Sequence, residues 1–492
     1  MSYLPRFPKN SPELSNFKMP FGNSLDPNNE LVLLSHLIPW AEIEELCLGL
    51  FPKKGRGAIP VRVGVGAILL KELRPIGGDR PLVQMIKENP YAQYFLGFPE
   101  FQVEAPFHHS QMSYFRERLS DKMSQINDLI LKAREQAVAK KHDDDKPQDD
   151  QPEADKPTNS GKLVIDATVA PADIAYPTDC ALVDKAIEKA GKVIDSTDVM
   201  ENVKRPYDNR DKMHSVFLEM AKAKRMTACK RRARMRLLVD FLGKQLDYID
   251  ICLERPQIAF ISATEAEYVA ACALQKVLRT LHTQQDEMLK EKKHTVKDRI
   301  VSIAQPWVRP IARGKLRAKT EFGIKISASV VDGYVRFEDE SFDPYNESTM
   351  LPKEVERYRE RYGFYPESLH VDQIYMTRNN RDFCKEHGIR ISGRPLGRRP
   401  KDETKKKVSD EQYKTDLKDR IIVEGKFGEA KRNHSLDRVM AHLEATTLSV
   451  LHAVAAVMNL KRWLRSLRPL LCLLRNLLFW RSTPLQPVAA VA

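Results

Sequence analysis

SLHVDQIYMTRNNRDFCKEHGIRI, residues 368–391, decides the fold. A short apolar run over 368–371 reads as a buried strand and delivers Asp372 at its end. A helix-forming stretch follows over 379–387, then Gly388 and a second short strand over 389–391. Upstream, 353–362 has helical periodicity. Before it, 322–331 and 334–337 read as two strands joined by Asp332-Gly333, a strong two-residue hairpin turn. Further upstream, KLVIDATVAP (162–171) holds a β-branched run over 163–165 that ends at Asp166. Downstream, the basic loop GRPLGRRPKDETKKK (393–407) leads into a helix carrying Glu424, and a long apolar helix covers 436–464. The order strand, hairpin, helix, strand, helix, strand, helix is an α/β layout with acids at strand ends and on a late helix.

Between Asp166 and the hairpin lies a helical insertion at about 181–305, with helical periodicity over 181–194, 214–246, 265–292 and 295–305. Within it KAKRMTACKRRARMR (222–236) has eight basic residues and no acid. The amino-terminal part, 1–139, reads as an all-α domain. A helix is expected over 61–73, another after the Gly77-Gly78 break with Asp79 as its N-cap, a short one at 91–96, and one long amphipathic helix over 110–140. His108 and His109 read as capping or packing groups. Between the two parts, KKHDDDKPQDDQPEADKPTNSG (140–161) carries three prolines and almost no apolar residue, which reads as a flexible linker.

The chain of 492 residues is long enough for several domains, and 42% hydrophobic with 30% charged residues excludes a wholly disordered chain. A net charge of +13 favours polyanionic partners. The seven cysteines are scattered with no CxxC pair, against a zinc ribbon or a disulfide framework. The start has no signal-peptide apolar region. The greasy stretch at 469–480 is interrupted by Arg475 and too short to span a bilayer.

Phosphodiester cleavage with two Mg²⁺ ions about 3.5–4 Å apart needs acids converging from separate elements. Asp166, Asp372 and Glu424 are the candidates. Asp173, Asp179, Asp332 and Asp343 compete, and the hairpin turn already accounts for Asp332. Arg420 and Lys431 share roughly one helical face with Glu424, where cations suit phosphates.

The segment RIIVEGKFGEAKR (420–432) fits the R-x3-E-x6-K signature of DDE transposases of bacterial insertion sequences, with Arg420, Glu424 and Lys431 in place. Leu417 stands where the full signature has tyrosine. VIDATVAPADIAYPTD, VRPIARGK, FGIKISASVVDGY, DPYNES, HVDQIYMTRNNRDFCKEHGIRISGRPLGR and PFHHSQMSYFRERL resemble further blocks of that family. The resemblance implies a ribonuclease H-like catalytic domain over 162–464, with the helical insertion, and a C-terminal tail over 465–492. It implies Asp166, Asp372 and Glu424 as ligands of two Mg²⁺ ions, or Mn²⁺. It further implies cleavage at element ends and transfer of the 3′-hydroxyl into target DNA. Expected partners are the terminal inverted repeats and target DNA, bound by a homo-oligomer, a dimer, in the bacterial cytoplasm at the nucleoid. The amino-terminal domain would bind the ends. Arg420, Lys431, Lys230, Arg231, Arg232, Arg234, Arg394, Arg398 and Arg399 are the expected DNA contacts. The alternatives are a ribonuclease H-like nuclease without joining activity and an inactive DNA-binding derivative.

Overall fold

The computed structural model describes residues 13–19, 23–50, 59–74, 76–144, 159–312, 320–393 and 403–482. Most of the expected linker, the loop with Arg394, Arg398 and Arg399, and the end of the expected tail lie outside them. The chain divides into two compact units, one of residues 1–170, 326–340 and 346–492, the other of 171–325 and 341–345. It is a mixed α/β structure with a helical amino-terminal region.

In the first unit, seven helices come first: α1 (Glu30–Leu37), α2 (Trp40–Leu46), α3 (Val61–Leu73), α4 (Asp79–Glu88), α5 (Pro90–Phe95), α6 (Gln111–Leu119) and α7 (Met123–Asp144). Two expectations change here. The single helix expected over 110–140 is broken into α6 and α7, because the Ser120 hydroxyl donates to the Glu117 carbonyl (2.8 Å) and closes α6. Asp79 is the first residue of α4 rather than its cap, which is Gly78. Its carboxylate instead accepts from Arg116 of α6 and from Lys71 of α3 (2.7 Å), tying three helices. His108 Nδ1 lies 2.9 Å from the Ser110 hydroxyl, and its ring packs on His109.

The sheet strands are β1 (Lys162–Pro171), β2 (Arg309–Ala312), β3 (Thr320–Val331), β4 (Tyr334–Ser341), β5 (Ser368–His370) and β6 (Arg390–Ile391). Their order is β2-β3-β1-β5-β6, with β4 paired to β3. β1, β5 and β6 are mutually parallel. The β3–β4 turn has Asp332 and Gly333 at φ 51° and 76°, the left-handed pair that a tight hairpin requires. Asp166 does not end its strand: β1 runs on to Pro171. Helices α13 (Leu351–Tyr362), α14 (Arg378–Glu386), α15 (Glu403–Asn433) and α16 (Glu444–Ser482) complete the first unit, while β2 and the start of β3 belong to the second. Helix α16 starts later than the expected 436. After α15, Ser435 adopts φ 59° and the Leu436 N–H turns back to the Ala430 carbonyl (3.2 Å), so the chain reverses before α16 can begin.

The amino-terminal helices share their core with α16. Leu69, Ile86, Phe95, Phe115 and Ile126 form one buried cluster with Ala453, Val457, Leu460 and Trp463. At its sheet end the buried Asn459 donates to Asn127 (2.9 Å) and to the Val335 carbonyl (2.8 Å), and accepts from the Val335 N–H.

The second unit is largely helical: α8 (Asp179–Asp195), α9 (Arg210–Lys222), α10 (Ala228–Glu254), α11 (Pro256–Ala259) and α12 (Glu265–Glu291) around Val183, Leu238, Leu242, Leu246 and Leu278. The helix expected over 214–246 is split, because the Thr227 side chain accepts from the Lys230 N–H and starts a new helix there. No helix forms over 295–305. That segment is pinned in irregular form by Gln284, which accepts from the Ile300 N–H and donates to the Asp298 carbonyl, both 3.0 Å. Among the described residues, no helix is long and apolar enough to cross a membrane.

Candidate active site

The two faces of the central strands explain where the acids go. Side chains alternate along a strand. Leu163, Ile165, Leu369 and Val371 pack with Leu351, Val355 and Tyr358 of α13 and Cys384 of α14. Lys162, Val164 and Asp166 point the other way, as does His370, and that is the side α15 covers. In the parallel β1–β5 ladder Val164 pairs with His370, so Asp166 and Asp372 each lie two residues beyond one matched pair.

Three polar groups, one from each of β1, β5 and β6, fasten α15 there. Lys162 donates to Asp419 (2.8 Å), and Arg390 donates to both oxygens of Asp416 (3.0 Å each). Between them the fully buried His370 lies 3.8 Å from each of Asp416 and Asp419. Burial holds the His370 pKa below its ordinary value despite those two carboxylates. This anchorage sets the register of the next turns of α15, which bear Arg420 and Glu424.

Arg420 bridges two elements. Its Nη1 donates to Asp372 Oδ1 (2.6 Å) and its Nη2 to Glu424 Oε1 (3.3 Å). Asp372 also caps the short 3₁₀ helix Gln373–Tyr375, accepting from the Gln373 N–H (2.6 Å). Asp166 accepts from the Ala167 N–H (2.8 Å). Its pKa is pushed up to about 6, first by burial, then by the negative charges of Glu347 and Asp372, while Arg420 opposes the rise. Asp166, Asp372, Glu424 and Arg420 are thus brought into one neighbourhood. Lys431 follows on α15, half-buried.

Glu347 is the acid that sequence reading missed. It opens a 3₁₀ helix, Glu347–Thr349, inside DPYNES, with no apolar strand before it to mark it. The buried Asn380 of α14 holds this helix beside the one that follows Asp372, donating to the Ser348 and Tyr375 carbonyls (2.8 Å each). Of the competing acids, Asp179 accepts from Gln285 (3.0 Å) and Arg299 and so serves the helical insertion.

Carboxylate oxygens are the donor set that hard divalent cations prefer. Among the described residues no group of three such ligands is close enough to hold an ion as it stands. The donor chemistry fits, and among the described residues the Arg420 guanidinium bridges Asp372 and Glu424. The expected DNA contacts of the insertion lie in the second unit. There Lys230 and Arg234 pair with Glu219 (2.9 and 3.1 Å), and Arg231 and Arg232 are exposed.

Comparison with known proteins places the sequence in a family. Residues 369–461, which include Asp372, Arg420 and Glu424, match the family described as "Transposase DDE domain". Residues 20–118 match "Transposase domain (DUF772)". A Rhizobium meliloti protein named "Uncharacterized protein ORF8 in nfe locus" is 34% identical over 164 residues, 33% of this chain and 72% of that protein. No solved structure matches the chain significantly. The chain belongs to the DDE transposases of insertion sequences.

Proposed function

We propose that this transposase cleaves DNA at the ends of its element and joins the freed 3′-hydroxyl to target DNA, with Asp166, Asp372 and Glu424 as the metal-holding acids. The observation that carries the reading is the approach of these acids from two parallel strands and one helix, linked by Arg420. The strand order and the parallel β1-β5-β6 pairing support a ribonuclease H-like core. DDE transposases use divalent metal ions, and Mg²⁺ suits an all-carboxylate set, with Mn²⁺ a competent substitute. When bound, a metal pair stabilises the attacking and leaving oxygens of an in-line displacement.

The chain's own groups do the rest. Asp166 sits within β1 and Asp372 just past β5, where it caps a 3₁₀ helix, so both carboxylates are carried by hydrogen-bonded backbone. Glu424 is set by the anchorage of α15. Arg420, which bonds Asp372 and Glu424, would be placed to donate to a phosphate were those carboxylates to hold a metal, and Lys431 lies further along the same helix. The amino-terminal helices recognise the terminal inverted repeats, and the protein acts as a dimer holding two ends.

The test is a joining assay with the element's own terminal repeats, Mg²⁺ and a plasmid target. End cleavage with covalent joining is the expected result. Cleavage without joining means a nuclease, and end binding without either means a non-catalytic derivative.

A further inference from the structure

The tip of the helical insertion carries charge that the fold does not use. From the end of α9 into the start of α10, residues 222–233 form an exposed stretch, interrupted only by half-buried Ala223 and Met226. Lys230 and Arg234 share the single carboxylate of Glu219, and Arg236 is taken by Asp286 of α12. Among the described residues, no carboxylate pairs with Lys222, Lys224, Arg225, Arg231 or Arg232, and all five are exposed. Beside them lies a groove of about 660 Å³ lined by Leu218, Lys222, Arg225, Met226 and Lys230. The residues beside the cations in the first turns of α10 are Ala228, Cys229 and Ala233, small enough to let a strand come close.

We infer that this tip is a binding surface for the phosphate backbone of duplex DNA, carried by Lys222, Lys224, Arg225, Arg231 and Arg232, with Lys230 and Arg234 as braces that hold α9 to α10 through Glu219. The partner is a nucleic-acid backbone because the surface offers five donors of positive charge. The cations apart, it offers no base-reading side chain: residues 222–236 contain no amide and no acid, and the one threonine, Thr227, is spent capping α10. Contact of this kind is sequence-tolerant, as target or flanking DNA requires, and unlike recognition of the ends. The inference rests on the transposase reading.

The experiment uses the full chain in EDTA, so that no cleavage intervenes, with a random-sequence duplex followed by fluorescence anisotropy between 50 and 200 mM salt. Replacing the five cations by glutamine is expected to weaken binding about 100-fold at the low-salt end. It should also flatten the slope of log affinity against log salt by up to about 4. The pair Lys230→Gln and Arg234→Gln should change the slope by about 1 or less. Unchanged affinity and slope in the five-fold variant overturn the inference. As a probe independent of that variant's folding, a photo-crosslinker attached to the exposed Cys229 of the otherwise native chain should capture the duplex, and failure to do so also overturns it. A five-fold variant that binds random DNA normally and still joins element ends removes this inference alone. A native chain that crosslinks to DNA but joins nothing removes the transposase reading alone.

Discussion

At the residue scale the site is organised by one guanidinium. Arg420 reaches Asp372 with one nitrogen and Glu424 with the other. A planar fork holds two carboxylates at fixed separation in a way that an ammonium does not. Arg420→Lys keeps the charge but should lower the joining rate by about 100-fold, because a displacement near 1 Å costs that much; single-turnover joining with pre-cleaved ends measures it. Asp372→Asn should abolish joining while leaving end binding nearly intact, since the amide keeps the shape but not the charge a hard cation needs. Asp173→Asn is the control and should join normally; equal losses in gel assays of the two variants would undo the assignment. The strands that carry the chain to Asp166 and Asp372 were legible from the apolar residues before each, Leu163 to Ile165 and Leu369 to Val371. Glu347 was not, because nothing local in DPYNES distinguishes an acid facing a carboxylate from one facing water.

At the scale of elements, the decisive contact is the docking of α15 on the strands. Asp416, 5% exposed, receives both Arg390 bonds and lies beside His370. Asp416→Ala should destabilise the first unit by about 2 kcal/mol in urea unfolding, less than for a fully buried pair because the Arg390 side chain is partly solvated. A second test concerns Glu354 of α13, which accepts from the Ser327 hydroxyl of β3. Its pKa is pushed up to about 8, chiefly by burial, with Glu338 and Asp339 adding to the rise and Arg357 opposing it. A folded-state value above the unfolded one means the folded protein holds the proton more tightly. Its contribution is therefore present at pH 4.5 and lost as pH rises towards 8. Glu354→Gln should remove on the order of 3 kcal/mol of that decline, seen by comparing unfolding at pH 5 and pH 8. The hairpin, α3, α8 and α13 to β6 were legible from period, turn and cap residues. The break between α6 and α7 and the irregular 295–305 segment were not, since each depends on a side chain bonding to backbone rather than on hydrophobic pattern.

For the whole molecule, the telling fact is that the sequence ends meet. The amino-terminal helices bury their apolar faces on α16, more than three hundred residues later. Composition marked 1–139 as helical, but no local pattern announces which distant helix completes its core. Deleting those residues should therefore leave the remainder with Ala453, Val457, Leu460 and Trp463 exposed. The truncated chain is expected to bind a hydrophobic dye, aggregate and lose cooperative unfolding. A soluble, cooperatively unfolding fragment in calorimetry would refute this. End recognition is better probed by surface substitutions on α1–α7 than by truncation.

The Asn127–Val335–Asn459 bonds close that long loop. During synthesis the first helices leave the ribosome well before the residues they pack against have been made, so the core assembles only after nearly the whole chain has emerged. A gene copy interrupted by a stop codon before α16 therefore encodes amino-terminal helices that lack Ala453, Val457, Leu460 and Trp463 and cannot complete their core.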